Sequence, residues 1–374
     1  MPIKVFIAGD VVPQNRTISL FKEKKTDILF GDMLHKINDA DIRIVNLEAP
    51  VIYGKPSPIK KSGPTLYTSK ETVEVLKEAG FNVVTLANNH FRDQGEQGVD
   101  NTLDAIYSKG LSPVGGGHNI DEANSVLYYT IANKKVAIIN VCEHEFSIAS
   151  KEKGGSNPLD IIKVYQNIIQ AKKQADYILI IVHGGIEMYQ LPTVRMKNTY
   201  RFFIDVGADA VINHHQHCFS GYEIYNGKPI FYGLGNFCFD KKDRRNSIWN
   251  QGYAVTLSFD ENINFKIHPY IQCDEIPTVC GKNENFYSDT INSLNEIIGN
   301  NNLLEQHFQK IVSKKEKFFL YNLSSINNHY IRALYQRGYL KRLYPKDKLY
   351  TTKNLLSCES HNDILMGILN KMTE

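Results

Sequence analysis

From Met1 to about Cys273, short apolar runs alternate with amphipathic stretches in which apolar residues recur every three or four positions. Lys4-Val5-Phe6-Ile7-Ala8, Ile42-Arg43-Ile44-Val45, Val83-Val84-Thr85-Leu86, Val136 to Val141, Tyr177 to Val182 and Ala210-Val211-Ile212 read as strands. Helices are predicted over Lys70 to Ala79, Glu96 to Lys109, Pro158 to Ala175 and Arg195 to Val206, with Gly80, Gly110 and Gly207 closing three of them. This alternation predicts a layered α/β domain. Between Tyr222 and Tyr270 strands and turns follow one another without clear helices, which predicts a second, more antiparallel sheet packed there. After Asp274 the pattern turns helical: Ser288 to Ile298, Leu303 to Phe319, and pieces from Ile326 to Met372, with a break at Gly299 to Asn302. The expected division is 1–273 for the α/β domain and 274–374 for a mostly helical, basic extension.

The ends of the predicted strands carry the chemistry. Asp10 stops the first, Asn46 and Glu48 the second, Asn88-Asn89-His90 the third, His183 the fifth and His214-His215-Gln216-His217 the sixth. In open α/β sheets, ligands gather at the carboxyl ends of strands. His215 and His217 flank one residue, and on an extended segment such side chains point to one face. Any one of these histidines alone reads equally well as a packed residue; together they point to one metal site. Oxygen and imidazole donors without cysteine favour Mn, Fe, Zn or Mg.

Composition narrows the setting. With 374 residues, 42% hydrophobic and 22% charged, the chain can bury a large core. A net charge of +3 is too small to imply a nucleic-acid partner. No secretory leader pattern opens the chain and no apolar stretch approaches a membrane span, so a cytoplasmic protein is expected. Six cysteines without a C-x-x-C pair read as reduced, packed residues, Cys218 among them despite its place after the histidines. The Lys22 to Lys25 run reads as a solvated loop. In the extension Lys310, Lys314, Lys315, Lys317, Arg332, Arg337, Lys341 and Arg342 make a basic tail. It reads either as a solvated helical cap or homodimer element, or as a surface that docks at the inner membrane face or on a polyanionic product.

Gly9-Asp10, Asn46-Leu47-Glu48-Ala49-Pro50, Ala87-Asn88-Asn89-His90 with Asp93 and Gly95, Val182-His183-Gly184-Gly185 with Glu187, Gly207-Ala208-Asp209 leading to the histidines, and Ile230 to Phe237 occur in this order. Over roughly residues 3 to 240 the chain resembles the CapA family of bacterial capsule and poly-gamma-glutamate synthesis proteins, within the calcineurin-like metallophosphatase superfamily. The resemblance implies a four-layer α/β/β/α sandwich holding one or two divalent ions (Mn, Fe or Zn). It implies that Asp10 and His217 hold the first metal, that Glu48 bridges, and that Asn89, His183 and His215 hold the second. His90 would protonate the leaving group or steady the transition state, with Asp93 orienting it. One departure stands out: the superfamily's histidine two residues after the first aspartate is Val12 here, which leaves the first site a ligand short.

Phosphate chemistry also needs positive charge on the non-bridging oxygens. Arg92, near His90, and Arg195, at a helix start, are the sequence candidates, each equally readable as a surface or ion-pair residue. Glu143-His144-Glu145-Phe146 follows a strong strand and reads either as pocket lining or as a polar loop exit. The expected function is metal-dependent hydrolysis of a phosphoester, on an anionic small molecule or a glycan- or lipid-linked phosphate, alongside envelope-polymer synthesis machinery. The rivals are a gamma-glutamyl amide hydrolase or transferase and a non-catalytic, metal-containing subunit that binds polymer; a fold alone does not choose among them.

Overall fold

The architecture follows from how the apolar residues alternate along each strand. In the computed structural model, which describes residues 2–323 and 346–373 together with positions 330, 334, 337 and 339, β1 (Ile3–Val12) is buried on both faces. Val5 and Ile7 join a core between two sheets, while Phe6 and Ala8 join a core under helices. The same division holds for Ile44 and Val45 of β2 (Ile42–Leu47) and for Val83 and Val84 of β3 (Val83–Thr85).

The first sheet runs from β3 and its parallel neighbour β4 (Ser112–Val114) through β2 to β1. The free edge of β1 continues antiparallel into β14 (Gln251–Phe259), β15 (Asn264–Gln272) and β16 (Val279–Gly281). β13 (Asn236–Phe239) pairs parallel with the far end of β1. The second sheet has parallel β7 (Lys134–Cys142), β9 (Tyr177–His183), β10 (Ala210–His214) and β12 (Lys228–Phe231), with β6 (Leu127–Ile131) and β11 (Tyr222–Tyr225) antiparallel at its edges. β5 (Gly116–Gly117) and β8 (Gly155–Ser156) form a small separate ladder.

Helices cover both outer faces. Phe21, Phe30, Val73, Leu76, Leu103 and Ile106 cover the first sheet, and Val164, Ile168, Tyr200 and Phe203 cover the second. This is the four-layer α/β/β/α sandwich. The helices Lys70–Glu78, Gly95–Ser108, Ile161–Ala171 and Val194–Val206 fall within two to four residues of expectation. Gly80, Gly110 and Gly207 take φ of 103°, 62° and 128°, the left-handed conformation that stops a helix without steric cost.

The strands after Tyr222 do not build a sheet of their own. β11 and β12 complete the edge of the second sheet, and β14 to β16 extend the first past Cys273 to Gly281. An unpaired edge of β1 or β10 would leave a row of buried backbone donors and acceptors, so β14 pairs antiparallel with β1 and β12 parallel with β10. Three short helices, Thr17–Lys22, Thr26–Phe30 and Met33–Asn38, occupy a stretch in which periodicity gave no signal. Lys24 and Lys25 are exposed, as a solvated run requires, and Lys24 pairs with Glu74.

The extension contributes helices Ser288–Gly299, Asn301–Leu323, Lys346–Ser357 and Glu359–Thr373. Ile291, Ile298, Leu304, Val312, Ile364 and Ile368 join the larger core, so these helices pack on the sandwich rather than standing apart. Of the basic tail, Arg332, Lys341, Arg342 and the side chain of Lys317 lie outside the described residues. No helix among the described residues is long and apolar enough to cross a membrane. All six cysteines are free, with all but Cys280 buried, and Cys218 is fully packed.

Candidate metal centre and active site

Five parallel strand ends converge where the two sheets face each other. Asp10 sits near the end of β1, Glu48 just past β2, Asn89 and His90 in the turn after β3, His183 at the tip of β9, and His215 and His217 just past β10. Gly9 makes the first approach feasible, since a Cβ there would meet the Gly235 carbonyl oxygen at 1.9 Å. All the carboxylates and imidazoles of this group are buried.

Two sets of donors emerge. Asp10, Glu48 and His217 form one: His217 Nδ1 lies 3.7 Å from Asp10 Oδ2, and His217 Nε2 lies 3.9 Å from Glu48 Oε1. The other is Glu48, His183, His215 and Asn89. His183 Nε2 is 3.5 Å from Glu48 Oε1, 3.1 Å from His215 Nδ1 and 3.1 Å from Asn89 Oδ1. Glu48 stands between the sets, wholly buried, and neither of its carboxylate oxygens has a hydrogen-bond partner. Burying an ionised carboxylate without donors is prohibitive unless a cation supplies the charge. Burial and the neighbouring Asp10 push Glu48 well above the ordinary carboxylate range, and burial takes Asp10 up to about 6 despite its hydrogen bond from Asn46. Burial likewise holds His183 far below the ordinary imidazole value and His217 down to about 4. The His183 and His217 imidazoles, held neutral beside the unsatisfied Glu48 carboxylate, fit a divalent cation site.

Of the remaining strand-end residues, Asn46 and Gln216 position rather than face the centre, whereas His214 groups with Asp10 and His183 as a further set of donors. Asn46 donates from Nδ2 to Asp10 Oδ1 at 2.7 Å and accepts from Thr85 and Asn88, tying β1, β2 and the β3 turn together. Gln216 is turned away to the Tyr189 and Leu191 carbonyls. His214 lies 4.0 Å from Asp10 Oδ1 with neither ring nitrogen partnered, and burial takes it down to about 3. His215 and His217 do not converge through extended backbone as their spacing implied. They take φ of 91° and 55°, so the turn after β10 coils left-handed to swing both rings inward. Asn236 was missed as a site residue: its Oδ1 accepts from His217 Nδ1 at 2.9 Å, leaving Nε2 for the centre. Val12 lies in an apolar cluster with Ala49, Leu66, Phe239 and Trp249, beneath the donor set that is one ligand short.

His90 stands at the cavity edge of this centre. Its Nδ1 donates to Asp93 Oδ2 at 2.6 Å, and Asp93 also accepts from Lys61 and from the Leu66 amide. Lys61 is only 3% exposed and its ammonium lies 3.2 Å from His90 Nδ1, so a buried cation sits where positive charge was sought. It lies in the Pro/Ser/Gly-rich loop before Leu66, and nothing in its local pattern marked it. Arg92 instead pairs with Glu96. Arg195 pairs with Glu143 at 2.7 Å and Asp363 at 2.8 Å. Glu143 also accepts from Ser360, and His144 pairs with Glu359 at 2.5 Å, so the loop after β7 is the dock for the last helix.

That dock brings the extension to the site. A cavity of about 290 Å³ beside the centre is lined by Asn89, His90 and His217, by Lys61, Lys241 and Trp249, and by Asn354 and His361 of the last two helices. Glu187, an exposed residue, opens onto it; against the desolvation that would raise its carboxylate, the facing His217, His215, His90 and His361 pull it down to about 2.

Residues 4–241 match the family described as bacterial capsule synthesis protein PGA_cap. The chain is 30% identical to the capsule biosynthesis protein CapA of Bacillus anthracis over 243 residues (63% of this chain, 59% of that protein). It is 33% identical to the PGA biosynthesis protein CapA of Bacillus subtilis over 237 residues (62% of each). The match thus spans about three fifths of the length of these curated relatives. Among solved structures, a novel phosphatase from Mycoplasma pneumoniae is similar with a TM-score of 0.46 at 19% identity, covering 74% of this chain and 95% of that one. On the match over residues 4–241, the chain belongs to the PGA_cap family of bacterial capsule synthesis proteins.

Proposed function

We propose that the chain is a metal-dependent phosphoester hydrolase acting on a small phosphorylated precursor in capsule, poly-gamma-glutamate or related envelope-polymer synthesis. The observation that carries this reading is Glu48, a fully buried carboxylate with no donor, shared between two donor sets whose Asn89 and His217 line a cavity. Divalent ions held by Asp10, Glu48 and His217 and by Glu48, Asn89, His183 and His215 would activate a water for attack at phosphorus and neutralise phosphate charge. Mn, Fe or Zn suit this donor set. The second set offers four donors against three in the first, so it is the tighter site.

The chain's own groups then divide the work. Asp93 accepts from His90 Nδ1 and favours the doubly protonated imidazolium, opposing burial and Lys61, which lower the His90 pKa, so that an Nε2–H is available to the ester oxygen in the cavity. As the new P–O bond forms and the ester P–O bond breaks, the leaving oxygen takes its proton from His90 Nε2. Lys61 and Lys241 place positive charge at the cavity for the non-bridging oxygens. The enclosing C-terminal helices favour a small substrate or a chain end over an internal bond of a polymer.

The test uses protein reconstituted with Mn or Zn. Turnover of aryl phosphomonoesters and phosphodiesters is expected, and His90→Ala should lower it roughly 10²-fold to 10⁴-fold with metal content retained. The loss should shrink for better leaving groups. A metal-replete wild type inert on aryl, sugar and polyprenyl phosphates sinks the assignment; cleavage of gamma-glutamyl amides instead, or polymer binding without turnover, selects one of the rivals.

A further inference from the structure

A second cavity, of about 430 Å³, adjoins the metal-site cavity and shares Glu145, Phe146 and Asn354 with it. Its walls come from four separate stretches: the loop carrying Lys60, the turn carrying Arg92, the segment from Glu145 to Lys153, and the helix Lys346–Ser357 with Tyr350 and Lys353. Ile59, Phe146 and Ile148 make part of its lining apolar.

The charge of this cavity is one-sided. Lys60, Arg92, Lys153 and Lys353 line it against the single carboxylate of Glu145. Arg92 is paired with Glu96, but the Lys60, Lys153 and Lys353 ammonium groups make no ion pair with any described residue. Exposed lysines are ordinarily solvated singly. Three brought from distant parts of the chain to one concave, partly apolar surface raise the local anion concentration, because low-dielectric walls focus the field. Sharing Glu145, Phe146 and Asn354 with the metal-site cavity makes the two spaces immediate neighbours.

We propose that this basic cavity is a subsite for a second anionic group, so that the substrate is a small molecule with two anionic ends. One end reaches the metal centre and the other is held by Lys60, Lys153 and Lys353. This rests on the phosphoester reading of the metal site. It also accounts for Arg92, which lines this cavity rather than that of the metal centre.

Calorimetric titration of the Mn-loaded protein with glucose 6-phosphate and fructose 1,6-bisphosphate compares one anionic end with two on scaffolds of similar size. The bisphosphate is expected to bind at least about 10-fold more tightly. The combined variant Lys60→Gln, Lys153→Gln, Lys353→Gln should lose that surplus. A control with the same change of net charge elsewhere, Lys25→Gln, Lys163→Gln, Lys173→Gln, should keep it. A wild-type ratio near the statistical factor of two, a surplus that survives the first triple variant, or one lost equally in the control overturns the subsite, as does a preference for poly-glutamate without one for the bisphosphate. A surplus that behaves as expected in a protein without phosphoesterase activity leaves the subsite standing and removes the hydrolase reading; failure to bind either sugar phosphate overturns the subsite and leaves the hydrolase reading to the turnover test.

Discussion

Asn236 shows how a residue outside the donor sets fixes the geometry of one within them. Its Oδ1 fixes Nδ1 of His217 as the protonated nitrogen, while its Nδ2 donates to the His217 and Trp249 carbonyls, holding both ring and backbone. Such partners of metal-ligating histidines typically contribute 10-fold to 100-fold in metal affinity. Asn236→Ala should therefore weaken metal binding to the Asp10, Glu48, His217 set by about that factor, read by metal titration, with the other set unchanged. Equal affinities in variant and wild type would show that the left-handed turn alone positions the ring. Asp10, Glu48, Asn89, His183, His215 and His217 were legible because each ends a recognisable strand. Asn236 stood in a motif already read but gave no sign of its role, because a positioning contact depends on a strand 19 residues away. Lys61, Lys241 and His361 were not legible at all: their place is set by loops and helices whose tertiary path no local periodicity encodes.

At the scale of elements, the strand ends build the centre and the helices close it. The seam between them is polar: Arg195 with Glu143 and Asp363, Ser360 with Glu143, His144 with Glu359. This explains why Arg195 holds a helix rather than standing free for phosphate. The pair with Glu359 raises His144 above the ordinary imidazole value, with Asp160 and Glu143 adding to it and partial burial opposing. A base whose pKa is higher folded than unfolded stabilises the folded state fully below the unfolded value, and that contribution is lost as pH rises through the folded value. Docking of the Glu359–Thr373 helix should therefore weaken from about pH 6 upward through the raised His144 value. Hydrogen exchange of its amides, corrected for intrinsic rates, reads this directly. In His144→Gln the trend should flatten, and a wild-type profile independent of pH would show that apolar packing alone holds the helix. The existence of these helices was legible from periodicity, but their destination was not, since the docking partners lie some 165 to 217 residues away.

For the whole molecule, the alternation of strands and helices announced the sandwich, whereas the assignment of the late strands to the two existing sheets was hidden. Each of those strands is compatible with any open edge, and only the full sheet order shows which edges need one. The unsatisfied Glu48 carboxylate at the junction of the sheets would make the fold and a bound metal interdependent. A ligand that binds only the folded state stabilises it by about 2.7 kcal/mol when its free concentration is 100 times Kd. EDTA should therefore lower Tm by several degrees and Mn or Zn should restore it; a Tm indifferent to both would mean that the donors serve no cation. The cavity wall built by Asn354 and His361 has a different kind of consequence. The donors that would do chemistry lie between residues 10 and 217, while this wall comes from a stretch more than a hundred residues further on and outside the family match at 4–241. Inheritance can therefore act on the two separately: an ancestral catalyst can be kept intact while drift and selection reshape the closing helices, and descendants that share one reaction can diverge in what they accept.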